Sequence, residues 1–346
     1  MIMSSRNAVF GLAALTAAAT IAGAAAAKEI VIGVVQVSGS TPVYIADEKG
    51  YFKELGLDVK VQSFASSSTM MPLLAHGDIQ YVAGGVAANI FNAIAQGLDV
   101  KIVMSRASTP VSGGYLVRSA IASEIKTPAD LKGRRIGTFA KGSIDNYLIA
   151  KVLAKGGLKM SDIELVAFGP PDQIGALATG ALDVTYLPSP QSEVALGRKI
   201  ATYWKSPNDF ADPAPTEVAV VLENSAWADA NRELSQKFMI ALIKGARDYC
   251  NAFHGAPNRA EVAEITVRRA NMPKKVVDDM IWSSVSPSGV INMASMIDIQ
   301  KVFVELGQVQ KPVDLQTIID LQDVNAAVKK LGPYAAPADS KQEGCR

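Results

Sequence analysis

The chain carries one α/β unit twice, about a hundred residues apart. Leu74-Ala75-His76-Gly77-Asp78-Ile79 recurs as Leu177-Ala178-Thr179-Gly180-Ala181-Leu182, in each case a helix end, a glycine stop and the approach to a strand. The match extends upstream. Gly56-Leu57-Asp58-Val59 answers Gly157-Leu158 with Ile163-Glu164-Leu165-Val166, and Ile32-Gly33-Val34 sits at a similar offset to Ile136-Gly137-Thr138. Two similar lobes, each with strands whose loops lead into helix N-termini, leave a cleft between them in which a small molecule can be enclosed.

A chain of 346 residues with 49% hydrophobic content can bury a large core and is expected to divide into two domains. Lys and Arg number 34 against 33 acidic residues, so charge predicts no nucleic-acid partner. Residues 1–27 hold Arg6 as their one charge, then an apolar run from Ala8 to Gly23 and a small-residue stretch at Ala25-Ala26-Ala27. That pattern predicts a signal peptide cleaved before Lys28 and a periplasmic location, while the run's Ala and Gly content argues against a membrane anchor. Cys250 and Cys345 are the two cysteines. In an oxidising compartment they can pair and staple the tail to a helix, or stay as independent thiols.

Glu29–Val35 is a continuous apolar run of the kind found in a strand covered on both faces. The spacing then predicts strands at Leu57–Phe64, Ile79–Ala83 and Lys101–Met104, with Gly84-Gly85 as a tight turn. The chain is expected to cross to a second lobe near Tyr115 and to return near Glu217. This makes 28–115 and 217–346 lobe one with its C-terminal helices, and 116–216 lobe two. Strands at Arg134–Phe139, Ile163–Phe168 and Asp183–Leu187 build the second lobe, and Ser206–Pro215 reads as loop. Two connections restrict the lobes to opening and closing.

Reactive groups are few. His76 and His254 both stand at helix ends before a glycine, no zinc ligand set is spelled out, and no Gly-x-Ser-x-Gly elbow occurs. The sequence predicts no enzyme, no metal and no cofactor. It does repeat a hydroxyl- or glycine-rich segment between strand and helix: Ser38–Thr41, Ser66–Thr69, Gly84–Gly85, Ala140–Ser143 and Pro188–Gln191. Each alone is ordinary capping. Five that converge from two lobes favour an anionic or polar solute, because helix N-termini carry free N–H groups and positive dipole ends. Lys141 is the expected contact for an anion. Arg106 and Arg118, near the crossing, are further candidates for that contact, all three cations being weighed against an ordinary surface charge, and Tyr44, Tyr186 and Trp204 can line a pocket.

Further motifs carry a family resemblance. They are Pro42 and Ala46 leading to Gly50-Tyr51-Phe52-Lys53-Glu54-Leu55-Gly56-Leu57, then Gly97-x-Asp99-Val100-Lys101, and Asp130-Leu131-Lys132-Gly133-Arg134-Arg135-Ile136-Gly137 with Gly180-Ala181-Leu182-Asp183. With these the chain resembles the substrate-binding proteins of ABC importers, in the nitrate/sulfonate/taurine and thiamine-precursor-like family. The resemblance implies an α/β type II periplasmic-binding-protein fold, each lobe a parallel-rich sheet flanked by helices. It also implies a monomeric receptor that delivers its small-molecule solute to permease transmembrane subunits with a cytoplasmic ATPase. Carried over by position, the solute contacts are Ser38, Ser40, Thr41, Tyr44, Ser66, Ser67, Gly85, Val86, Lys141, Gly142, Ser143, Ser189 and Gln191. The same resemblance reaches pyrimidine-precursor-synthesising enzymes of thiamine metabolism, and a periplasmic sensor module is a further alternative.

Overall fold

The computed structural model describes residues 1, 29–64, 67–337 and 344–345. The expected signal segment, Ser66 and most of the tail after Pro337 lie outside the described residues. Ten strands form two five-stranded sheets: β1 (Ile30–Val35), β2 (Val59–Phe64), β3 (Tyr81–Gly85), β4 (Val100–Ser108), β5 (Gly114–Arg118), β6 (Arg135–Thr138), β7 (Glu164–Ala167), β8 (Val184–Leu187), β9 (Ala201–Lys205) and β10 (Glu217–Asn224). Their orders are β2-β1-β3-β10-β4 and β7-β6-β8-β5-β9. Position for position the two sheets correspond, so the sequence repeat is a repeat of topology. Each sheet has one antiparallel strand, β10 or β5, and in both cases it follows a crossing between the sheets.

Burial explains which strand sits where. β1 has both faces covered and lies between two parallel neighbours, as its unbroken apolar run requires. At the sheet's edge β2 alternates exposed and half-buried residues instead. The paired glycines of the repeat have a steric reason. A Cβ on Gly33 in β1 would come within 2.6 Å of Met70 Sδ, and one on Gly137 in β6 within 2.7 Å of Leu182 Cδ1. Only a bare backbone lets those side chains close over the central strand.

The helices after β10 cover the first sheet. The long helix Arg232–Phe253 packs on Thr41–Glu48, and Phe238 stacks on Tyr81 with ring centroids 3.9 Å apart. Helix Met293–Glu305 rests on Ala88–Ala95 through Phe303 and Phe91 and reaches Ile144–Lys155 of the second lobe. Three local expectations are corrected. Gly84-Gly85 is no turn but the end of β3, paired with Val220 and Ala219. β4 runs on past Met104 through the polar Ser105 and Ser108, which pair with Val220 and Glu217 of β10. β9 was unforeseen, since Ala201–Lys205 is an edge strand with exposed residues and little periodic signal.

The segments that link the sheets, 109–113 and 206–216, are laced side by side. Thr109 N donates to the Thr216 carbonyl at 2.9 Å, Thr216 N donates back to Thr109 Oγ1 at 2.8 Å, and Val111 N donates to Asn208 Oδ1 at 2.8 Å.

Candidate functional site

The ends of the strands from both sheets meet at a cavity of about 380 Å³. The first lobe contributes the end of β1 with Ser38 and Gly39, the start of helix Ser67–His76, and Gly85-Val86-Ala87 ahead of helix Ala88–Ala95. From the second come Phe139, Ala140 and Ser143 ahead of helix Ile144–Lys155, Gly169 and Pro170, and Tyr186 with Pro188. Val111 and Ser112 of the first crossing close one side, and Arg106, Ala107, Val218 and Ala219 form the floor.

The floor is set by two breaks in strand register. Between β4 and β10, Ser108 faces Glu217, Ala107 faces Ala219 and Ser105 faces Val220. Val218 and Arg106 are thus the extra residues of two adjacent bulges, and both line the cavity. Bulges re-aim side chains. Here they turn a guanidinium into a site that regular alternation would have directed elsewhere.

Arg106 is 7% exposed and forms no ion pair among the described residues. Its Nη1 donates to Ser40 Oγ at 3.2 Å, and its Nε has no hydrogen-bond partner. Burial pushes its pKa down to about 10, with Tyr44 and Tyr249 acting in the opposite direction, so it remains a cation at neutral pH. The expectation of a surface charge is overturned. No other charged side chain lines the cavity among the described residues.

The lobes are also fastened beside the cavity. Ala88 N donates to the Gly142 carbonyl at 2.8 Å, and Gln308 Nε2 donates to Asn146 Oδ1 at 2.6 Å. The Asp298 carboxylate, on helix Met293–Glu305, accepts from the Tyr147 hydroxyl at 2.8 Å and from Lys151 Nζ at 3.0 Å. These contacts bridge the two lobes.

Of the residues singled out from sequence, Ser38, Ser67, Gly85, Val86, Ser143 and Tyr186 line the cavity, and Ser40 stands behind Arg106. Thr41 is buried against Thr266 (3.1 Å between hydroxyls), and Tyr44 lies under the Arg269 guanidinium, 4.9 Å from the ring centre. Lys141 is exposed and does not line the cavity. Gly142 meets Ala88 across the lobes. Ser189 donates to Glu193 at 2.7 Å, and the buried Gln191 Oε1 has no partner. Arg118 pairs with Asp183, and Trp204 donates to the Lys126 carbonyl. Arg106, a sequence candidate weighed toward the surface, does line the cavity, whereas Ser112, Phe139 and Ser283 were missed; no local signal reveals the bulges, which arise from pairing with a strand more than a hundred residues away.

A larger cavity, of about 610 Å³, lies behind the hinge. Glu217 lines it, with Ser105 Oγ donating to Oε2 at 2.9 Å and Asn292 N to Oε1 at 3.0 Å. Ser284, Gly344 and Cys345 complete its rim. Cys345 N donates to Ser284 Oγ at 2.9 Å, and the buried Cys250 thiol, neighbour to the buried Cys345 thiol, donates to the Val285 carbonyl at 3.7 Å.

Two α/β lobes of matching topology, joined by two laced crossings around a ligand-sized cavity, define a type II periplasmic-binding-protein fold. The chain belongs to the NMT1/THI5-like family, which it matches over residues 38–253. It is 26% identical over 312 residues to an Escherichia coli K12 protein described as binding aliphatic sulfonates, covering 80% of this chain and 97% of that one. It is 31% identical over 131 residues to the 4-amino-5-hydroxymethyl-2-methylpyrimidine phosphate synthase THI11 of Saccharomyces cerevisiae, 37% of this chain and 36% of that one. Among solved structures, the alkanesulfonate-binding protein SsuA of Xanthomonas axonopodis pv. citri bound to MOPS superposes with a TM-score of 0.69 at 22% identity, covering 86% of this chain and 99% of the other.

Proposed function

We propose that the chain is the solute-binding receptor of an ABC importer and that it closes its lobes on a small organic anion whose charged group is taken by Arg106. The observation that carries this reading is the buried guanidinium, which faces the interlobe cavity with no carboxylate among the described residues that line it. A buried charge without a counter-charge is costly, and an anionic solute is the partner that relieves the cost. The names of the E. coli and Xanthomonas relatives, which refer to sulfonates, agree with an anion. Closure follows from differential affinity: a solute touched by both lobes in the closed state and by one in the open state shifts the population by that difference. Residues 28–115 and 217–346 act as one lobe and 116–216 as the other. Export to the periplasm, a monomeric state and delivery to permease subunits powered by a cytoplasmic ATPase belong to the same proposal.

An enzymatic role is the weaker reading. The described lining offers no His, Cys, Asp, Glu or Lys; the one carboxylate beside a lining serine, that of Asp145, is buried behind Ser143, where it accepts from the Ser143 hydroxyl and from Phe139 N, and no general acid in the described lining stands over a bound molecule.

The test is a thermal-shift screen of residues 28–346 against sulfonates, carboxylates, nitrate, pyrimidines and uncharged sugars, followed by titration calorimetry on Arg106→Gln and Arg106→Lys. A ligand at about 100 times its Kd should stabilise the protein by roughly 2.7 kcal/mol. Loss of a charged hydrogen-bond donor should weaken binding roughly 10- to 150-fold. A cation or neutral sugar as the best ligand, or unchanged affinity in a folded Arg106→Gln, would overturn the reading.

A further inference from the structure

We infer that the solute is an organic monoanion with an uncharged, apolar body about the bulk of one ring, and that the cavity rejects both zwitterions and bare inorganic oxyanions. This rests on the receptor reading above and narrows its ligand.

The first argument is the charge inventory. Arg106 is the single charged side chain among the described lining residues, and no carboxylate faces it. A solute that carries both an anionic group and an ammonium would satisfy Arg106 and strand its own cation. The hydroxyls offer little relief. Ser38 and Ser112 are 3.1 Å apart and bonded to each other, Ser67 Oγ already accepts from Gly85 N at 2.9 Å, and Ser283 Oγ accepts from Ser112 N at 3.2 Å. Ser143 Oγ accepts from Ala140 N at 3.2 Å and is within donating reach of the Ala140 carbonyl, at 2.6 Å, and of the buried Asp145 carboxylate, which lies behind the serine and does not line the cavity. A buried ammonium needs three acceptors, and each of these hydroxyls already uses part of its hydrogen-bonding capacity within the protein.

The second argument is the opposite wall. The anion site stands on the first lobe's sheet, whereas across the cavity the second lobe presents Phe139, Ile144, Leu148, Pro170 and Tyr186. The Tyr186 hydroxyl is tied to the Ser112 carbonyl at 3.1 Å, so the surface it offers a solute is its ring. The Phe139 and Tyr186 rings adjoin, with centroids 6.0 Å apart and planes 42° apart. A solute held by Arg106 therefore lays its far end on aromatic and aliphatic carbon.

The third is size. At about 380 Å³ the cavity stands near the lower end of the range of small-molecule sites, roughly 300–1,000 Å³. A nitrate on Arg106 would leave the apolar wall untouched and forgo the burial that drives closure. A single ring or a branched chain of similar bulk spans the gap.

The experiment compares matched probes by calorimetry on the full mature chain: benzoate and benzenesulfonate, 4-(aminomethyl)benzoate as the same ring with an added ammonium, taurine, and nitrate. The ring monoanions should bind at least about 100-fold more tightly than the aminomethyl derivative, taurine or nitrate. Phe139→Ala should weaken benzoate roughly tenfold while leaving the weak nitrate response unchanged. If taurine or nitrate binds as tightly as the ring acids, the solute class is wrong and the anion receptor stands. If no anion binds and Arg106→Gln behaves as the wild type, the receptor reading falls and this inference falls with it.

Discussion

Arg106 Nη1 donates to the Ser40 hydroxyl at 3.2 Å, and that hydroxyl in turn donates to the Val35 carbonyl at 2.6 Å. The end of β1 thus holds, through one serine, the guanidinium that projects from β4. Ser40 is fully buried, so no water replaces it when it is removed. Ser40→Ala should cost about 1 kcal/mol of solute binding, roughly a fivefold rise in Kd, with little change in the far-UV circular dichroism. Calorimetry with the best anion from the screen measures this. An unchanged Kd would mean that Arg106 is held in place without Ser40.

What was legible in the sequence was whatever local periodicity carries. The unbroken apolar run of β1 and the Ile-Gly pairs at Gly33 and Gly137 report burial within a few residues of themselves, and the repeat of those signals yields two matching sheets. Hydroxyl segments before helices likewise located Ser38, Ser67 and Ser143 on the cavity wall. Arg106 was legible only as one of three candidate cations weighed toward the surface, because its direction depends on a bulge against β10, and long-range register leaves no mark on the residues around it. Lys141 was expected at the site for the converse reason. Its loop does border the cavity, but the chain turns at Gly142 (φ 78°) and puts Ser143 inward and Lys141 in solvent.

Asp298 joins the lobes from a position outside the cavity, accepting from Tyr147 and Lys151 of the opposite lobe. The carboxylate and the lysine are each about a quarter exposed, so the ion pair alone is worth only about 0.2–1 kcal/mol. The tyrosine bond adds a comparable amount. Because both contacts bridge the two lobes, Asp298→Ala should raise Kd roughly three- to tenfold by destabilising the closed state. Small-angle scattering should show the ligand-bound variant shifted towards the open form. A Kd equal to wild type would show that these contacts do not favour closure.

Cys250 and Cys345 lie side by side as buried thiols, and the Cys345 carbonyl also meets the His254 ring at 3.1 Å. Oxidation would fasten the tail across the hinge, where Gly344 is packed against Ser284 and Pro110. The two thiols would give two protons and two electrons to glutathione disulfide, which leaves as two thiols. Burial raises the Cys250 pKa well above its ordinary value, so the bond should form during folding rather than in the closed native core. Protein folded in glutathione disulfide should show no alkylatable thiol when denatured, and two after reduction. The crosslink should add about 2–4 kcal/mol of stability, absent in Cys345→Ser. Two alkylated cysteines before reduction would count against pairing.

Glu217 begins β10 as the chain returns from the second crossing, and it is 2% exposed. Burial pushes its pKa up to about 7, only partly opposed by the donors from Asn292 and Ser105, against roughly 4.3 in an unfolded chain. Between those two values the native state keeps a proton that the unfolded chain has lost. The protonated carboxyl's contribution to stability is therefore complete below the unfolded value, falls as pH rises between the two, and is gone once pH passes the folded value. Glu217→Gln removes the titration while retaining an acceptor for Asn292 N and offering a donor to Ser105 Oγ. The variant should melt close to wild type near about pH 5 and be more stable near about pH 8, by about 1–3 kcal/mol. Glu223, whose pKa burial and then Asp323 push up to about 8, supplies the slope that remains in the variant. Denaturant titrations of both proteins across this range test the assignment, and parallel pH curves would show that Glu217 is not the group that titrates.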